Sequence, residues 1–188
     1  KQGMFGIVAL MAVLMVIKII LSFLEGSAAT YRKMEKKAAR GAAAEEQMAR
    51  LFEKLSDDYI VFHDVATDSG NIDHLVLCKT QGLIVVETKS HRGKVTEQDE
   101  RLLIDGREPE KDFIKQTLGN CFWIKDWVRS KTGIDAWTTT IIVFTNAFVD
   151  IRKPVRGIFV MGKDLFLNEF LYPIMQAFDS VVIAADVE

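Results

Sequence analysis

"IDHLVLCKTQGLIVVETK" (72–89) reads as two strands joined by a short turn, and its register decides both the fold and the chemistry. Leu83 to Val86 is an unbroken apolar run that ends in Glu87, Thr88 and Lys89. Side chains alternate across a strand, so Glu87 and Lys89 share one face while Thr88 points to the other. In an antiparallel hairpin the numbers of opposed residues add to a constant. If that constant is 160, as a three-residue Lys79–Gln81 turn requires, Asp73 stands opposite Glu87 on the same face. If it is 161, the faces are mismatched.

Away from these charges both faces are apolar. Leu75, Leu77, Leu83 and Val85 lie on the charged side, and Val76, Cys78, Ile84 and Val86 on the other. Strands apolar on both faces are covered on both faces, which implies a sheet between helices. The flanking sequence supplies the parts. "YIVFHDV" (59–65), "GKVT" (93–96), "RLLID" (101–105), "TTTIIVFTN" (138–146), "VRGIFVM" (155–161) and "SVVIAA" (180–185) read as strands. Helices are expected over about 110–130 and 164–178, the first with Phe113, Gln116, Asn120, Trp123 and Trp127 on one stripe, the two Trp as core aromatics.

Residues 28–55 are rich in helix formers. Met34, Ala38, Gly41, Glu45, Met48, Phe52 and Leu55 recur every three or four positions and mark one face. Glu45 falls inside that stripe, whereas Glu46 rotates away. Either Glu45 meets a partner or a metal, because burying a lone charge costs too much, or the stripe is half covered there and Glu45 is solvated.

The front of the chain is different. "GMFGIVALMAVLMVIKIILSFL" (3–24) carries one charge, Lys18, and at about 1.5 Å per residue it is long enough to span a bilayer. It exceeds the apolar core of a cleaved leader, which is about 7–15 residues. The expected organisation is a transmembrane helix (1–25), a basic juxtamembrane helical stalk (26–40) and an α/β domain (41–188). Arg32, Lys33, Lys36, Lys37 and Arg40 follow the span, against Lys1 alone before it. The positive-inside rule then predicts a single-pass membrane protein with its soluble domain in the cytoplasm. The basic stretch suits anionic headgroups. Cys78 and Cys121 fit reduced, buried thiols.

Beyond residue 40 the chain holds 17 basic and 24 acidic side chains, a balance of −7. That argues against gripping nucleic acid by bulk charge. It leaves local or metal-assisted binding. Asp73, Glu87 and Lys89, with Glu45 added, make a metal-dependent phosphodiesterase set. Mg²⁺ takes oxygen ligands and keeps several waters, so two carboxylates and a backbone carbonyl, here that of Thr88, suffice, and Mn²⁺ substitutes for it. Lysine is suited to orient the attacking water and stabilise developing charge. His63, His74 and His91 lack a shared ligand spacing, which excludes a zinc site. His74 follows Asp73 and so faces the other way, as a core histidine. His91, Arg92 and Lys94 lie just past the motif, either as phosphate contacts or as a solvated turn.

The order Asp, then Glu-x-Lys, resembles the PD-(D/E)xK nuclease superfamily, and in detail its nuclease-related domain (NERD) family. "GAAAEEQMARLFEKL" (41–55) is similar to that family's opening helix, "NIDHLVL" (71–77) to its Asp-His strand and "GLIVVETKSHRGKV" (82–95) to its Glu-x-Lys strand. "KQTLGN" (115–120) is similar to its later helix with Gln and Asn. Ala44 departs from it, standing where the family's helix usually has a second glycine. The resemblance covers about 41–146. It implies a restriction-endonuclease-like mixed sheet flanked by helices, site roles for Glu45, Asp73, Glu87, Lys89 and Gln116, Mg²⁺ as the metal, and nucleic acid, DNA before RNA, as substrate. A different class competes: a nuclease-like fold kept as a membrane-bound interaction or regulatory module with a silent site.

Overall fold

The structure, a computed structural model, describes residues 18, 31–68, 70–78 and 82–171. The chain divides into two compact units, residues 1–40 and 41–188. In the first, residues 31–40 are helical and exposed, Met34 and Ala38 included, so the apolar stripe expected from Met34 onward buries nothing there. Among the described residues no helix is long and apolar enough to cross a membrane. The span expected over 3–24 lies, Lys18 apart, outside the described residues.

The second unit begins with helix α1 (41–52). There follow β1 (Tyr59–Thr67), β2 (Gly70–Cys78), β3 (Gly82–Gln98), β4 (Arg101–Ile104), α2 (Phe113–Thr132), β5 (Thr138–Val149) and β6 (Phe159–Gly162). A short α3 (Lys163–Leu165) runs into a π-helical turn at Phe166–Leu171. The sheet order is β1-β2-β3-β5-β6, with β4 pairing β3. β1, β2 and β3 are antiparallel, whereas β5 runs parallel to β3 and β6 parallel to β5. A parallel neighbour needs a long crossover, and β4 with α2 supplies it.

The β2–β3 register is the even one: His74 faces Val86 and Cys78 faces Gly82, both pairs adding to 160. Asp73 and Glu87 come one step beyond the last pair. The sheet is covered on both sides as its sequence requires. On one side Met48 and Phe52 of α1 pack with Val76, Cys78, Ile84, Val86, Ile141, Val143 and Phe166. On the other, Ile124 of α2 packs with Leu75, Leu83 and Val85, and Phe113 and Ile114 with Ile142, Phe144 and Val160.

Four expectations need correction. The separate strand at 93–96 is part of β3, which runs for 17 residues. β5 pairs with it up to Val95 and β4 takes over at Val95–Gln98, so its backbone groups find partners beyond the motif. The strand expected at 155–161 starts only at Phe159. Before it, Val155 and Ile158 exchange hydrogen bonds of 2.9 and 3.0 Å around Arg156 and Gly157, at φ 50° and 82°. Two central residues of positive φ make a tight hairpin turn. α2 starts later than expected, capped by the Asp112 carboxylate on the Lys115 N–H (3.0 Å). Its buried face is Phe113, Ile114, Thr117, Asn120, Cys121 and Ile124, rotated from the expected stripe so that Trp127 is 48% exposed. Trp123 still packs against the core. Past Leu171, the rest of the last helix and the last strand lie outside the described residues.

Candidate active site

β3 brings its charges to the sheet end that α1 and α2 both reach. Glu87 is 1% exposed, as buried as any residue of the core. A carboxylate so placed needs partners. The Lys89 ammonium donates to Oε1 at 2.6 Å, joined by the Gln116 amide at 2.9 Å. Asn120 approaches Oε2 at 3.4 Å and donates to the Asn71 carbonyl at 3.0 Å. Gln116 and Asn120 are one helical turn apart, so both project from α2 toward the same carboxylate. Lys89 also lies 4.8 Å from the centre of the Phe113 ring, a cation on an aromatic face.

Asp73 arrives from β2. Its Oδ2 accepts the Thr88 N–H at 2.7 Å. Burial first, then the Glu87 charge, push its carboxyl up to about 7, against the pull of the Thr88 N–H and Lys89. Burial mainly, then Asp64 and Glu87, also raise half-buried Glu45 above the ordinary carboxylate range. Glu45 is thus half covered, as the second of the two expectations had it, and it stands within the field of this cluster. Ala44, beside it, is buried at 4%, and the helix accommodates its methyl group.

Direct hydrogen bonds thus join Glu87 to Lys89 and Gln116, and Asp73 to the Thr88 backbone, while electrostatics couple Asp73, Glu87 and Glu45. His74 turns to the opposite face, as its parity predicts. It is 1% exposed, its ring centroid lies 5.2 Å from that of Phe52, and its Nδ1 is 2.8 Å from Nδ1 of His63. Burial, with the His63 charge second, lowers its pKa to about 4. His91 packs on Phe113 at 5.1 Å between ring centroids. Arg92 and Lys94 are exposed. The sequence reading did not give Asn120 and Phe113 their contacts with Glu87 and Lys89. Asn120 was legible in principle, four residues after Gln116 on the same stripe.

All acidic ligands at this end are oxygens. Two carboxylates that oppose each other's ionisation, one of them held near neutrality, form a set that a divalent cation would relieve. Among the described residues no three His, Cys, Asp or Glu side chains are grouped to hold a metal ion by themselves. The two strand carboxylates are oxygen donors of the kind Mg²⁺ accepts, one or two from protein with the rest of its shell left to water and phosphate.

A mixed sheet between helices, with a buried Glu-x-Lys pair within one strand and an aspartate on its antiparallel neighbour, defines a nuclease-like α/β domain. The chain belongs to the nuclease-related domain (NERD) family, whose family model matches residues 40–145, from the start of α1 into β5. No curated protein matches the chain, and no solved structure does.

Proposed function

We propose that this chain is a Mg²⁺-dependent nuclease that hydrolyses phosphodiester bonds, with DNA as substrate, held to a membrane by residues 3–24 with its domain in the cytoplasm. The observation that carries the reading is the buried Glu87 carboxylate gripped by Lys89, Gln116 and Asn120, with Asp73 beside it. Asp73, Glu87 and the Thr88 carbonyl would hold the ion, with Glu45 at the rim. When bound, the ion lowers the pKa of a water and offsets charge on the phosphoryl oxygens. Lys89 orients the attacking water and sets a positive charge beside the phosphorus oxygens. Gln116 and Asn120 fix the rotation of Glu87, so that its oxygens need no reorganisation during the reaction. Membrane attachment is supported by the 22-residue apolar run and the basic residues after it.

The test uses the full chain in non-ionic detergent with supercoiled DNA. Nicking that needs Mg²⁺ or Mn²⁺ and is lost in Lys89→Ala, with the thermal transition retained, is the expected result. No cleavage of supercoiled or of single-stranded DNA with either ion would remove the reading. A second reading, a silent nuclease-like domain acting as an interaction module, is favoured by the acidity of residues 41–188. Calorimetry separates the two: a silent site shows no Mg²⁺ binding that depends on Asp73 and Glu87.

A further inference from the structure

The long strand β3 does not end at the site, and what it carries next is unlike the rest of this acidic domain. Lys89 pairs with Phe144 and Arg92 with Asn146, so β3 takes three steps where β5 takes two. An extra residue of this kind re-aims the side chains that follow. Past it the inward positions are Val95, fully buried, with Ala147 and Val149 packed on the same core. Arg92, Lys94, Asn146 and Phe148 alternate with these and are all exposed, Phe148 by 67%.

They form a compact array. Arg92 lies opposite Asn146, and Lys94 opposite Phe148. Neighbouring strands are about 4.8 Å apart, and like-facing residues on one strand about 6.6 Å apart. Arg92 lies three residues past Lys89, within about 11 Å along the chain. Lys94 is held by Asp150 at 2.7 Å, and the loop that begins there presents Arg152 and Lys153, both exposed. Among the described residues no carboxylate forms an ion pair with Arg92, Arg152 or Lys153. Glu97, Glu100 and Asp150 share the neighbouring cleft with Arg152, Lys153 and Arg156, so that cleft is charge-balanced. The unbalanced charge is that of Arg92, on the outward row of β3 and β5.

We infer that this row is a track for single-stranded nucleic acid leading to the site. The inference rests on the nuclease reading and narrows its substrate class. A guanidinium supplies the fork that phosphate oxygens accept, an amide can read base edges, and an uncovered phenyl ring offers a stacking platform. Stacking on Phe148 needs a base with a free face, which a duplex does not present. A local basic and aromatic row also shows how a domain of net negative charge can hold a polyanion: by position, with bulk charge contributing nothing.

The experiment is fluorescence anisotropy of the full chain in non-ionic detergent with EDTA. The probes are a labelled single-stranded oligodeoxynucleotide and a duplex of equal length, titrated over a series of salt concentrations. Wild type is expected to bind the single strand more tightly. Phe148→Ala should weaken it roughly 5- to 150-fold with the salt slope unchanged, the loss of one stacked base. Arg92→Ala should reduce the slope of log K against log salt by about 0.7, one phosphate contact on a single strand. Equal affinity of Phe148→Ala and wild type, or preference for the duplex, overturns the track. Because EDTA removes any need for metal or turnover, the two readings fail separately. Nicking that survives with Phe148→Ala binding as wild type removes only the track. Binding as expected in a chain that never nicks removes only the nuclease.

Discussion

The two ends of the β2–β3 hairpin are equally buried and chemically opposite. Near the turn, Ile84 is 2% exposed among Val76, Cys78 and Phe52; at the far end, Glu87 is 1% exposed among Lys89, Gln116 and Asn120. Burial of Ile84 stabilises the fold by about 1.5–3 kcal/mol, without direction. Burial of Glu87 opposes folding unless each oxygen finds a donor of the right geometry. The hydrocarbon end supplies the stability that the charged end consumes. One end therefore tolerates substitutions that keep volume, and the other only those that keep hydrogen bonds.

The widest separation between the two ends should come from Lys89→Ala. On the nuclease reading it lowers the cleavage rate by about 10²- to 10⁴-fold, the range for a positioned proton-transfer group. It also leaves Glu87 with its two amide partners and no counter-charge, so Lys89→Ala/Glu87→Gln should melt at a higher temperature than Lys89→Ala alone. A double variant that melts lower would show that the ion pair is not what offsets the burial of Glu87. Ile84→Ala should do the reverse. It costs about 2–5 kcal/mol in urea unfolding, while cleavage per folded molecule stays within about twofold of wild type, because no site residue leans on that side chain.

Acidity gives a third contrast, at intermediate size. Asp73 has a folded pKa of about 7, above its unfolded value. Its contribution to stability is therefore fully present below about 4 and is lost as pH rises through 7. His74, on the other face, has a folded pKa of about 4, below its unfolded value. Its contribution is present above about 6.5 and is lost as pH falls through 4. In metal-free protein the advantage of Asp73→Asn over wild type should grow from pH 4 to 7 and then level off, on the order of 4 kcal/mol. Mg²⁺ should shrink that advantage, since an ion bound by the carboxylates stabilises wild type alone. An advantage that stays constant with pH would mean that Asp73 is not held near neutrality.

How much of this the sequence could show differs between the same two ends. The apolar runs announce the sheet and its covered faces, and with an odd turn their parity sets Asp73 against Glu87. That follows from local alternation alone. The extra residue between Lys89 and Arg92 was not legible, because it depends on β5, some fifty residues away, and no local pattern marks it. Trp127 was misplaced for a related reason. Its spacing fits a stripe, but the buried face of α2 is set by Ile114, Thr117 and Cys121, which rotate it away. The His63–His74 contact likewise needed the β1–β2 register, which the sequence between Thr67 and Gly70 leaves open.

The smallest difference worth measuring lies between two adjacent glutamates on α1. Glu46 is exposed and pairs with Arg50 one turn on. Solvent screens so exposed a pair, so Glu46→Gln should shift the urea midpoint by little and leave cleavage unchanged. Glu45 is half buried, and its carboxyl is raised chiefly by burial, then by Asp64 and Glu87. Removing its charge relieves that repulsion, so Glu45→Gln should stabilise metal-free protein above the ordinary carboxylate pKa, in the opposite sense to Glu46→Gln. If Glu45 also stands at the rim of the ion site, the same variant should raise the Mg²⁺ concentration needed for half-maximal cleavage. The two readouts then move in opposite directions at one position and in neither at the next. Should Glu45→Gln behave like Glu46→Gln in both, α1 serves the site through Met48 and Phe52 packing alone, and the metal set reduces to the two strand carboxylates.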